Sequence, residues 1–236
     1  MSTPYGLNLA ESCLTCKLRC WKFFCALPPA SLAALERIKF SSLLPKRSTL
    51  FVAGQRPSGV HLVCAGRVKL WAKGKHRRTM IVKVATEGEL LGLHACVCGT
   101  AHEFTAETVQ PSEVVFVRRE DFLRFVQQDE HACMKSAETL ARHRQEAYEM
   151  VRSRRLGQSA RGRLARLLLE VAAGCGRPGA VLDTGLTQTE IAQAIGMSRE
   201  TVWRQVCELR KRGIAILEGT ILRVQDSAAL KRLAGR

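Results

Sequence analysis

Apolar and polar positions alternate in short bursts through the first half of the chain, at Thr49 to Val52, Val60 to Cys64, Arg67 to Ala72, Thr79 to Val84, Phe104 to Val109 and Glu113 to Arg118. A period of two turns one side of each burst inward, so these segments read as strands, punctuated by Gly54, Gly66 and Gly88. Strands this short between turn residues predict an antiparallel roll of the jelly-roll kind. From Asp121 to about Arg155 the period becomes helical. Val126, Cys133, Leu140 and Ala147 recur every seven residues, with Glu130, Ala137, Arg144 and Val151 as the second seam. That heptad register predicts a long dimerisation helix, in which Glu130 and Arg144 favour a weak, switchable pairing. The same spacing also fits a long helix packed on its own barrel. The third region holds a helix through Leu164 to Val171 and a glycine-rich break at Gly174 to Gly179.

The densest pattern follows, in QTEIAQAIGMSRETVWRQVCEL from Gln188 to Leu209. Ile191 and Ile195 lie on one helical stripe, and the small Ala192 between them lets a second helix cross closely. Gly196 permits the left-handed backbone of a tight turn. Ser198 stands where an N-cap belongs, and Glu200 suits the positive end of a helix starting near Arg199. Val202, Val206 and Leu209 face inward while Arg199, Glu200, Trp203 and Arg204 gather outside. Arginine bonds guanine O6 and N7 and glutamate accepts from cytosine N4, so that face suits a DNA major groove. Ile214 to Leu217 and Ile221 to Val224 flank the Glu218-Gly219 turn as a hairpin, which makes the unit a winged helix-turn-helix. A small helical hairpin with a solvated charged face is the plainer alternative.

The chain has 236 residues and a formal net charge of +16, which attracts polyanions. Arg142, Arg144, Arg152, Arg154, Arg155, Arg161, Arg163 and Arg166 precede the reading helix, where some would meet phosphates and others only solvent. Neither a long apolar run nor a secretory leader is visible, so the expected location is the cytoplasm, with no membrane partner. Ten cysteines there would be reduced, which points to metal ligation, thiol chemistry or burial rather than disulfides. Cys13, Cys16, Cys20 and Cys25 fall within 13 residues, close enough to enclose an iron–sulfur cluster or a Zn²⁺ ion. The alternative is that they bind nothing and, like Cys133, Cys175 and Cys207, serve as small apolar residues. His61, His76, His94 and His102 show no zinc-ligand spacing.

Roll, long helix and winged reader in this order resemble the CRP/FNR superfamily of bacterial transcription factors, most strongly at SRETVWRQV and at Gly88 to Gly92, GELLG. The resemblance implies an α+β architecture: an N-terminal antiparallel β-roll like a cyclic-nucleotide-binding jelly roll, a dimerisation helix and a C-terminal winged helix-turn-helix. The expected divisions are a cysteine-rich segment at 1–30, the roll at 31–120, the helix at 121–156 and the DNA-binding domain at 157–236. It further implies a homodimer on a palindromic operator, with RNA polymerase as a partner. Arg199, Glu200 and Arg204 match the family's base-contacting positions. The DNA-facing set is Gln188, Ser198, Arg199, Glu200, Trp203, Arg204 and Lys211, and the dimer set is Val126, Cys133, Ala137, Leu140, Ala147 and Val151.

Two departures stand out, Trp203 where the family has a small residue and Gln205 where it has an apolar one. Family members that bind cyclic nucleotides carry an Arg-Ser pair after the Gly-Glu turn. This chain has Ala101, His102, Glu103, Phe104 and Thr105 there, and a glutamate beside a phosphate repels it, so no cyclic nucleotide is expected. The oxygen-sensing branch holds a cluster on three N-terminal cysteines and a fourth from the roll. Cys13, Cys16 and Cys25 resemble that triple, with Cys20 as an extra candidate. Ser112 to Val117 lacks the roll cysteine, leaving Cys20, Cys64, Cys96 or Cys98 to replace it.

The expected function is therefore a DNA-binding regulator under control of a redox-sensitive cysteine site. A regulator using zinc, a thiol switch or another small effector is the alternative. An enzyme is not expected: Cys13 and Cys16 form a Cys-x-x-Cys pair, but no βαβ unit frames it as a thiol oxidoreductase. A basic module that binds RNA or protein without operator specificity is a further rival.

Overall fold

A computed structural model describes residues 7, 12–16, 23–74, 79–155, 159–173 and 181–235, without the side chains of 23, 150–155 and 173. Cys20, His76, Cys175, the side chain of Val151 and the Gly174 to Gly179 break lie outside the described residues. The chain divides into two compact units, Met1–Ala72 with Ala85–Glu149, and Lys73–Val84 with Met150–Arg236.

The first unit begins with a 3₁₀ turn at Phe23–Cys25 and helix α1 at Pro29–Ile38, whose proline sits in the first turn, where its missing N–H costs nothing. Strands β1 (Lys39–Leu44), β2 (Thr49–Phe51), β3 (Gly59–Ala65) and β4 (Val68–Lys73) follow, then β5 (Thr79–Ala85), nearly all of it within the Lys73–Val84 stretch of the second unit, and β6 (Leu90–Leu91). Helix α2 (Leu93–Cys98) then precedes β7 (Thr105–Thr108) and β8 (Ser112–Arg118). The strands form two four-stranded sheets, in the orders β1–β8–β3–β6 and β2–β7–β4–β5. Strand β1 pairs antiparallel with β8 from Lys39↔Val117 to Leu44↔Ser112. Its middle residues are exposed, and Phe40 lies under the Arg118 guanidinium, 5.3 Å from the ring centre.

Helix α3 at Arg119–Gln128 and the part of α4 (Glu130–Arg155) up to Glu149 complete the unit. The single helix expected from Asp121 onward is thus broken. Asp129 is extended (φ −122°, ψ 110°), and its carboxylate accepts the Ala132 N–H at 2.8 Å as a new helix starts. The break resets the helical phase, and Val126 and Leu140 pack on the roll's own core rather than continuing a seam. Cys133, Ala137 and Ala147 point outward.

The second unit contains α5 (Ala160–Ala173), β9 (Val181–Asp183), α6 (Gln188–Ile195), α7 (Arg199–Lys211), β10 (Ala215–Glu218), β11 (Ile221–Val224) and α8 (Ser227–Leu233). Strands β10, β11 and β9 form the wing in that order, and the expected hairpin pairs Glu218 with Ile221 across Gly219 and Thr220. Leu164, Leu168, Ile191, Val202, Leu209 and Leu222 fill the centre of the unit.

One buried group links fold to pH. His61 lies among Phe51 (5.5 Å between ring centres) and Phe116 (5.0 Å), and its Nδ1 has no hydrogen-bond partner among the described residues. Burial and the neighbouring His102 push its pKa from 6.5 down to about 4. Above 6.5 both folded and unfolded forms are neutral; between 6.5 and about 4 only the unfolded chain takes the proton, so stability is lost as pH falls through that window. Replacing His61 by leucine should flatten the decline in urea midpoint between about pH 7 and pH 4.5, and a wild-type slope in the variant would acquit the histidine.

Candidate nucleic-acid interface and cysteine pocket

Each end of the two motif helices is chemically satisfied, and that fixes their faces. Helix α6 starts in a reciprocal cap: the Glu190 N–H donates to Thr187 Oγ1 at 3.3 Å and the Thr187 N–H donates to Glu190 Oε2 at 2.9 Å. The T-x-x-E spacing was the unread sequence signal for it. Gly196 ends the helix in the left-handed region (φ 67°), and the Met197 N–H closes the turn on Ala192 O at 3.0 Å. Ser198 caps α7 as expected, its Oγ accepting the Thr201 N–H at 3.2 Å.

Val202, Val206 and Leu209 then turn inward, while Arg199, Glu200, Trp203, Arg204 and Lys211 are exposed. Trp203 is 59% exposed. The first-turn amide of Glu200 and the Ser198 hydroxyl hold the Glu200 carboxyl below the usual carboxylate range, leaving an ionised acceptor near Arg199. Gln188 is half-buried at the start of α6. The polar Gln205 is explained by α5: Arg161 Nε donates to its side-chain oxygen at 3.3 Å. That arginine serves the unit's packing, as Arg144 serves its own helix by lying 5.9 Å over the Tyr148 ring.

Cys13, Cys16 and Cys25 line one pocket of the first unit, together with Cys64 of β3, Lys39 and Glu113. Leu32, Leu35, Leu62 and Val115 make the rest of its wall. Phe24 anchors this segment: it is 1% exposed and its ring centre lies 5.9 Å from that of Phe122 and 6.5 Å from that of Phe125. The Cys13 N–H donates to Glu36 Oε2 at 2.9 Å, and Lys39 Nζ donates to Cys13 Sγ at 3.5 Å while pairing with Glu36 at 2.8 Å. Sequence reasoning missed Glu36, Lys39 and Glu113, whose roles follow from packing and carry no motif.

Burial pushes the Cys13 thiol up to about 11 against the pull of Lys39, and pushes Cys25, beside Cys16 and Cys13, up to about 12. Cys64 is raised further by burial, by Glu113 and by the other thiols. The donor set fits a thiophilic centre in number and softness. Among the described residues, no three His, Cys, Asp or Glu side chains already form a metal-ligating group. Cys96 is fully buried but does not line this pocket, and Cys98 is exposed on α2, its Sγ 3.8 Å from His94 Nδ1.

The Gly-Glu turn serves the roll itself. Glu89 is buried and its Oε1 accepts the Thr86 N–H (3.1 Å) and hydroxyl (3.2 Å). Farther on, the buried His102 stacks on Phe51 with ring centres 4.0 Å apart. No helix among the described residues is long and apolar enough to cross a membrane.

A roll in one unit and a winged helix-turn-helix in the other define a DNA-binding transcriptional regulator with a sensor-type domain. Residues 42–129 match the cyclic nucleotide-binding domain family, and residues 162–233 match the Crp-like helix-turn-helix domain family. The chain belongs to the CRP/FNR superfamily. It is 25% identical to the CRP-like cAMP-activated global transcriptional regulator of Mycobacterium tuberculosis over 214 residues, covering 89% of this chain and 95% of that one. It is 26% identical to the cyclic AMP receptor protein of Thermus thermophilus, over 81% of this chain and 87% of that one. In fold it is similar to FixK2 from Bradyrhizobium japonicum, with a TM-score of 0.74 at 21% identity, over 83% of this chain and 97% of that one. Members of this family are regulators, not enzymes.

The thiols should separate by burial. In metal-free, reduced, folded protein at about pH 8, iodoacetamide should label the exposed Cys98 and leave Cys25 and Cys64 unmodified until denaturant is added, as read by peptide mass spectrometry. Early labelling of Cys25 would contradict the packing of the segment around Phe24.

Proposed function

We propose that the protein is a homodimeric regulator that reads a palindromic operator through α7 and is controlled by a redox-sensitive group on its N-terminal cysteines rather than by a cyclic nucleotide. The DNA reading rests on one observation, an ionised Glu200 carboxylate exposed with Arg199 and Arg204 on one capped helix. Arg204 and Arg199 bond guanine edges, Glu200 accepts from cytosine N4, and Lys211 meets phosphate. Trp203, on the same face, lies against sugar or a thymine methyl. Gln188 and Ser198 present their helix N-termini to the backbone.

Homodimerisation is supported by the outward face of α4, where Met134 is 61% and Tyr148 63% exposed alongside Cys133, Ala137 and Ala147. Two copies would set their reading helices about one DNA turn, ~34 Å, apart. RNA polymerase is the further partner that the family implies.

Control by the cysteines is supported by the meeting of Cys13, Cys16 and Cys25 at one pocket. An iron–sulfur cluster bound there supplies oxygen and redox sensitivity. The chain's own part is to hold the thiols, to keep Lys39 beside Cys13 and to seal the pocket with Leu32 and Leu35. Zinc or a thiol switch at the same residues is the second reading, favoured if sulfide is absent. A cyclic nucleotide is disfavoured by the His102–Phe51 stack, by Glu103 and by the absence of the Arg-Ser pair.

Selection from random duplexes with anaerobically purified protein should enrich inverted repeats. Arg204→Ala should then cost about 1–3 kcal/mol of discrimination at one G·C pair, whereas Lys211→Ala should weaken all sequences alike and lower the salt slope by about one. Equal losses on operator and random DNA for Arg204→Ala would refute the base contact, and no preference for inverted repeats would favour a nonspecific nucleic-acid or protein-binding module. Cyclic AMP up to millimolar concentration should shift neither the melting temperature nor operator affinity; a saturable shift at micromolar levels would return the roll to nucleotide sensing.

A further inference from the structure

We infer that Cys64 of β3 supplies the fourth thiol of the N-terminal cysteine site, so that an iron–sulfur centre is held jointly by Cys13, Cys16 and Cys25 and by the roll. This rests on the reading of those cysteines as ligands and adds the residue that completes the set. Cys64 shares the pocket wall with Cys13, Cys16 and Cys25. Its strand gives a second, independent mark. Strand β3 pairs with β8 in regular register as far as Val63↔Val114, then shifts before Ala65↔Glu113, so the irregularity falls at Cys64. Such irregularities bend the strand locally and are over-represented beside functional sites.

The side-chain alternation agrees. Leu62 and Cys64 both pack on the cluster that contains Cys25, while Val63, between them, enters the core of the other sheet. Strand β3 lies inside its sheet, between β8 and β6, so the thiol is offered from a hydrogen-bonded interior strand. The expected roll stretch, Ser112 to Val117 on β8, carries no thiol, yet β8 is the direct neighbour of β3. The fourth sulfur has therefore moved one strand sideways. Glu113 is buried in the same pocket wall. Each ligating thiol exchanges its S–H bond for a metal–sulfur bond and releases its proton to solvent, with no change in sulfur oxidation state.

The test is anaerobic reconstitution of the full chain with ferrous iron and sulfide, together with Co²⁺ titration of the metal-free protein to count thiolates from the sulfur-to-metal charge-transfer band. Cys64→Ala should lose roughly tenfold or more of the bound iron and sulfide, at least the loss that removing an outer partner causes. Its circular dichroism should remain that of the wild type. The Cys20→Ala/Cys96→Ala double variant should keep the wild-type iron content and a four-thiolate Co²⁺ spectrum; this arm leaves Cys64 in place and decides the matter even if Cys64→Ala does not fold. A three-thiolate spectrum in the double variant, or full iron and sulfide in Cys64→Ala, would overturn the assignment while leaving the N-terminal site standing. A wild-type chain that binds neither iron nor Co²⁺ would overturn the site itself.

Discussion

The first unit depends on one buried surface, the face of the β1–β8–β3–β6 sheet that carries Val60, Leu62, Val115 and Val117. On it lie Leu32 and Leu35 of α1, Phe122 and Phe125 of α3, and Phe24 of the N-terminal segment. Fully burying an apolar side chain of this size contributes about 1.5–3 kcal/mol, and a whole domain is stable by only about 5–15 kcal/mol. The few residues around Phe24 are therefore a structural part of the unit. A segment tied down this way can present Cys25, whose backbone follows directly from Phe24, against a strand 39 residues away in sequence at Cys64.

The same surface is the footing of the helix that faces outward. Ala132 is fully buried in that cluster and Leu140 packs against it, while Ser136 turns its hydroxyl back onto the Ala132 carbonyl at 2.8 Å. The pocket residues Leu32, Leu35, Leu62 and Val115 and the α4 residue Ala132 thus belong to one core cluster. Close-packed interiors transmit displacement because no slack absorbs it. The contiguity is a physical route, and a coupling energy between pocket and helix is the quantity that would make it regulation.

The DNA-binding unit works by a different economy. Its short helices leave unpaired amides and carbonyls at each end, and Thr187, Glu190, Gly196 and Ser198 satisfy them locally. Because those devices are local, they were legible in the order of the residues: the start of α7 at Arg199, the turn at Gly196 and the wing hairpin all follow from spacing alone. The strands β2 to β5, β7 and β8 were legible for the same reason, since alternation and glycine punctuation are properties of a few adjacent residues.

What stayed hidden was set by pairing between distant segments. Strand β1 has exposed central residues and hence no alternation to read, and its place comes from six register partners on β8. The heptad count ran straight across Asp129 because residue spacing carries no phase reset; the extended backbone there and the new N-cap supply it. Cys64 was one of several interchangeable cysteines in the sequence, and only strand order distinguishes it from Cys96 and Cys98. Its place beside Cys13, Cys16 and Cys25 is set by which face of β3 it occupies and which strands β3 lies between, and residue spacing carries neither.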